Sequence, residues 1–200
     1  MRTQIAIVAF AAGSIASASA AQVISFNDAS LFGSFAASNG AAVSTETFDG
    51  YSNGYAASYS GTLGGVQWLA SAPTGMAVYN GMMSTNNPEA MTFSFGGSGV
   101  KGVGGLFFST DIAFNVVPST LYVTLSDGSG FVGSVTSGSQ FTGFWSLGSN
   151  ITSIRIQPIG ANAGAQYPTA DSMSIAVVPA PGAVALLALA GATARRRRRA

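Results

Sequence analysis

From Val43 onward the apolar residues come in short runs separated by Gly, Ser, Asn and Asp. VSTETF alternates, and VQWLA, MAVYN, MTFSF, GGLFFST, TLYVTL, GFVGSV, FTGFWSL, ITSIRIQ and SMSIAVV each suit one strand. Separators such as LSDGSG, residues 125–130, carry hairpin chemistry, and the prolines of APTG and QYPT mark turns. In ITSIRIQ, Ile154 and Ile156 share one strand face, which sets Arg155 on the solvent side. Residues 49–65 have almost no aliphatic side chains and read as a long surface excursion. Ahead of this, residues 23–26 alternate as a first strand, and NDASLFGSFAAS reads as a short helix. Asn27 or Asp28 caps it, Leu31, Phe32 and Phe35 fall on one side, and Gly40 ends it. With no other helical periodicity in the body, the pattern predicts an all-β fold. It is a two-sheet β-sandwich of jelly-roll type with one short N-terminal helix.

Two further apolar segments lie at the ends. Residues 1–20 have a positive start at Arg2, a short apolar region and the small-residue pattern Ala18-Ser19-Ala20 before Ala21. These are the marks of a signal helix cut after Ala20. Residues 178–200 hold two prolines, an apolar run over 182–194, and Arg195, Arg196, Arg197, Arg198 and Arg199. The run would make about 20 Å of helix, short of the roughly 30 Å hydrocarbon core. Arginine side chains snorkel, however, and an arginine block stays on the cytoplasmic side. The chain therefore divides into a signal peptide (1–20), a β-sandwich body (21–177) and a hydrophobic, arginine-ended tail (178–200), with the body exported.

Cysteine and histidine are both absent, which removes disulfides, Cys nucleophiles and every His-based general base. The net charge of +1 averages unlike segments. The body sets Lys101 and Arg155 against seven acids, a balance of −5, so nucleic acid is not its partner. Lys101 lies in GSGVKGVGG, without the spacing of a Ser–Lys dyad. Acids near turns serve mainly as turn formers, and no enzymatic activity is expected. Glu46, Asp49, Asp111 and Asp171 are the candidate oxygen ligands for a structural calcium, set against the preferred reading as independent turn caps. Tyr51, Tyr55, Tyr59, Trp68 and Trp145 are the candidates for stacking on sugar rings.

Val178-Pro179-Ala180-Pro181-Gly182, the apolar run and the arginine cluster, in that order at the terminus, resemble the PEP-CTERM sorting signal of exosortase systems. Ala180 stands where the family pattern has glutamate, which makes this a Pro-Ala-Pro variant. More loosely, TETFDG, GVGGLFF, FTGFWS with ITSIRI, and ADSMSIAVVP resemble the jelly-roll domains that precede such tails. The resemblance implies export by the Sec translocon, signal-peptidase cleavage and transient inner-membrane anchoring. It further implies processing by an exosortase, then a place at the outer surface or in the extracellular matrix, with exopolysaccharide as a partner. The alternative function is a carbohydrate-binding module.

Overall fold

The computed structural model describes residues 22–97 and 99–179. The signal segment with Ala18, Ala20 and Ala21, and the tail from Ala180 through Arg199, lie outside the described residues. No helix among the described residues is long and apolar enough to cross a membrane.

The chain folds as β1 (Val23–Phe26), α1 (Ala29–Ser38), β2 (Ala42–Glu46), β3 (Gly54–Leu63), β4 (Val66–Tyr79) and β5 (Met82–Thr85). It continues as β6 (Met91–Gly96), β7 (Val100–Thr110), β8 (Val116–Val117), β9 (Ser119–Leu125) and β10 (Gly130–Val135). β11 (Phe141–Ser146), β12 (Ser153–Ile159), a 3-10 turn at Ala163–Ala165 and β13 (Tyr167–Val177) complete it. The all-β expectation holds. The strands form one antiparallel sheet in the order β1-β11-β7-β13-β5-β4-β6-β12-β9-β10, with β2 on β13, β3 on β4 and β8 on β7.

The sheet curls because β4 belongs to two neighbourhoods. Its first half pairs with β6 over Gln67 to Ser71, its second half with β5 over Met76 to Tyr79. Between them Pro73 sits where neither ladder asks for an N–H, which is where proline is tolerated in a sheet. Thr74 gives its backbone N–H (2.8 Å) and its hydroxyl (2.6 Å) to Glu89. APTG is thus a bend within a 14-residue strand rather than a turn between two strands. Pro168 likewise lies inside β13, opposite Ser109.

The curl encloses one core. Trp68, Phe93, Phe107, Ile154, Ile156, Met83 and Met173 come from distant strands, Phe48 from the segment after β2, and all meet there at 2% exposure or less. At roughly 25 cal/mol per Å² of apolar area removed from water, this burial is the main force closing the sheet. Arg155 points to solvent between Ile154 and Ile156, as the alternation requires.

A second cluster lies on the outer face of β7 and β11, under α1. Asp28 caps this helix by accepting from the N–H of Leu31 at 2.8 Å. Phe32 and Ala36 are buried against Phe141, Trp145 and Ala176, while Leu31 is 61% exposed and faces away, contrary to the sequence expectation. The glycines of GVGG explain how the rings come so close. A Cβ on Gly102 would lie 2.9 Å from Phe32, and one on Gly104 would lie 2.6 Å from Phe141. Only bare backbone leaves room for those rings.

Candidate functional site

The aromatic residues singled out from the sequence separate into core and surface. Trp68 is 2% and Trp145 4% exposed, so neither offers a face to a sugar. As the largest apolar side chains of a small β protein they are drawn into the two clusters by the area they remove from water. Residues 49–65 are also not a surface loop. Ten of them form β3, whose Tyr59 and Gly61 face the core side beside Trp68. Tyr51 and Tyr59 meet edge to face at 5.6 Å. Their hydroxyls donate to the carbonyls of Ser60 at 2.9 Å and Gly54 at 3.0 Å. Burial pushes both phenols above the usual tyrosine range, and Glu46 adds to the effect on Tyr51. These two tyrosines hold the chain together and are not free platforms. Tyr55 alone of the five is open, at 76% exposure.

The four candidate calcium ligands do not converge. Glu46 accepts from the N–H of Phe48 at 3.0 Å. Asp171 is not at the start of the last strand but at a bulge within β13, between the segments that pair with β5 and β2. Desolvation there, with the charge of Asp49, raises its carboxyl above the usual aspartate range. Asp111 follows β7 and is spent on its own loop, accepting from the N–H groups of Ala113 and Asn115, each at 2.9 Å, and from the Asn115 amide. Those bonds lower its pKa. No three His, Cys, Asp or Glu side chains among the described residues are grouped to hold a metal. Lys101 donates to the carbonyl of Gly148, at the end of the adjoining strand.

What the fold does bring together is Tyr55 and Asp111, which are 56 positions apart in the chain. They line a recess of about 80 Å³ with Asn86, Ile112, Phe114 and Tyr167. Ile112 is 81% exposed, and Phe114 packs its ring 5.2 Å from that of Tyr79. Phe114 has φ of 63°, a left-handed conformation costly for a bulky residue, and the Asp111 clasp holds the loop in it. Beneath lie three buried hydroxyls in sequence: Thr169 donates to Ser84 at 2.9 Å and lies 3.0 Å from Thr110. Ile112 and Phe114 carried no signal in the sequence, because DIAFN has neither period; only the Asp-to-Asn spacing hints at a closed loop. Aromatic faces and an exposed aliphatic line the recess, and the Asp111 carboxylate is held by its own loop.

A larger slot of about 400 Å³ opens between β10 and the strands β1 and β11. Phe107, Leu121, Phe131, Phe141 and Phe144 line it, with Ser25, Asn27, Gln140 and Thr142 at its polar positions and no charged side chain. Phe131 and Phe144 span it with ring centroids 4.5 Å apart.

No family model matches the chain, and no curated protein and no solved structure matches it either.

Proposed function

We propose that the chain is an exported cell-surface or extracellular-matrix protein without enzymatic activity of its own. Its body is a jelly-roll-type sandwich, and its tail is read by an exosortase. The observation that carries this reading is where the strands stop. β13 ends at Val177, Val178 still donates to the carbonyl of Gly99 at 2.8 Å, and the Pro-Ala-Pro motif begins at the next residue. Cleavage there would remove the tail without touching a strand. Mass spectrometry of the mature protein tests this. A C-terminus near Pro179 to Pro181 is expected, and an extracellular form still ending in Ala200 overturns the sorting reading.

The recess beside Tyr55 favours carbohydrate binding as a second reading. Tyr55, Ile112 and Phe114 present apolar faces within one recess, with Asn86 beside them. Retention on exopolysaccharide should fall at least tenfold in Tyr55→Ala, while Leu69→Ala, an exposed residue outside the recess, should leave it unchanged. Equal retention of both variants, or none by the parent protein, overturns this reading.

A further inference from the structure

Among the described residues β10 is the last strand of the sheet and pairs only with β9. The hairpin joining them fixes which of its backbone groups are free. Leu125 donates to Ser129 at 2.9 Å and Gly128, with φ of 85°, donates to Leu125 at 3.0 Å. This is a three-residue loop closed by a hydrogen-bonded pair. Alternation along the unshifted register then turns the amides of Phe131, Gly133 and Val135 toward β9. Those of Gly130, Val132 and Ser134 face outward. Of the three outward carbonyls, that of Ser134 is capped by the Gln140 amide at 3.1 Å.

Natural edges are blunted by charge, proline or bulges. GFVGSV has no charged residue and no proline, β9 beside it has neither, and their register shows no shift. Val132 lies mid-strand at 64% exposure. The slot of about 400 Å³ described above opens directly beside this edge, with Val132 and Gly133 in its wall.

We infer that the outer edge of β10 is a self-association surface whose occupant is β10 of a second copy, running antiparallel about a twofold axis at Val132. In that register Val132 meets its own equivalent as a hydrogen-bonded pair, and Gly130 meets Ser134 of the second copy on either side. The contact is isologous, so one patch satisfies both chains and closes the assembly at two. No like charges face each other across it. Phe131 and Val135 stay packed in the core of their own copy, so the joint rests on the backbone ladder and on the exposed Val132 pair. The inference stands whether or not the tail is processed.

The chain has no cysteine, so one introduced thiol reports its own neighbourhood. Val132→Cys in the full chain should give a disulfide-linked dimer under mild oxidation, because paired strands bring equivalent Cα atoms to about 5.5 Å. Ile112→Cys, at 81% exposure and outside this edge, should stay at least tenfold less linked. In the chain without an introduced thiol, Val132→Lys or Val132→Pro should turn the dimer into a monomer in analytical ultracentrifugation. Both changes fall on an exposed, outward-facing position and leave the β9 ladder whole. Equal linking of the Val132 and Ile112 variants overturns the inference, as does a Val132→Cys chain that stays monomeric, which would leave the edge to an extended segment of another protein.

Discussion

Among the described residues β3 and β10 each pair with a single neighbour, and each is free of charged residues, yet the fold treats their open edges differently. β3 is guarded. A bulge between Ala56 and Ser58 breaks its register, and the carbonyls of Ser60 and Gly54 are taken by the hydroxyls of Tyr51 and Tyr59. The guard is held by packing, since Tyr51 lies 5.9 Å from Trp68 and 6.5 Å from Phe48, ring to ring. β10 has an unbroken register and one capped carbonyl. Composition alone does not protect or expose an edge. What decides it is whether another stretch of chain is anchored firmly enough to lie across it.

The largest break in this contrast should come from Trp68→Ala. Removing a side chain that is 2% exposed should cost about 3–5 kcal/mol, read by denaturant unfolding, and should free Tyr51 from its seat. A cost below about 1 kcal/mol would show that the guard does not rest on Trp68. Next comes a matched pair of glycines. A Cβ on Gly61 would lie 2.9 Å from both the Trp68 nitrogen and the Tyr51 hydroxyl, so Gly61→Val should cost about 1–3 kcal/mol. Nothing lies within 4 Å of the equivalent position on Gly133, so Gly133→Val on β10 should change stability by no more than about 0.5 kcal/mol. Comparable losses at both sites would erase the distinction between the edges. Tyr51→Phe should cost about 1 kcal/mol, because it deletes one hydrogen bond and keeps the ring.

The smallest effect is one of pH, at the bulge of β13 near the segment that leads into the guard. The folded pKa of Asp171 is raised, so the fold prefers its protonated form. That preference stabilises fully below the unfolded value and is lost as pH rises through the folded one. Asp171→Asn should therefore gain stability over the parent as pH rises above about 3.8 and keep that gain at neutral pH, with the two converging in acid. A gap that widens in acid would reverse the assignment of Asp49 and desolvation as its cause.

Much of the strand pattern was legible, and the failures share one cause. MTFSF and TLYVTL alternate cleanly because one face is buried and the other wet, and both are strands as read. Residues 54–63 gave no such signal, since Gly, Ala and Ser are neutral toward either face. They became a strand because β4 offered a ladder and Tyr59 a place beside Trp68. VQWLA and MAVYN looked like two strands around a proline, because a local reading cannot see that β4 leaves one neighbour for another at Pro73. At the recess, Tyr55 and Asp111 were candidates for unrelated chemistries, and nothing along the chain indicated that they share a wall with Phe114.

By itself the sequence determined the all-β class, a helix cap at Asn27 or Asp28, the outward Arg155 and the acidic balance of the body. These depend on periodicity, on neighbours within a few residues, or on simple counts. The tertiary structure alone decided which aromatics are core, which acids are neighbours, and which sheet edge is left uncovered. Those outcomes depend on contacts between residues dozens of positions apart, made only once burial of apolar surface curls the sheet on itself.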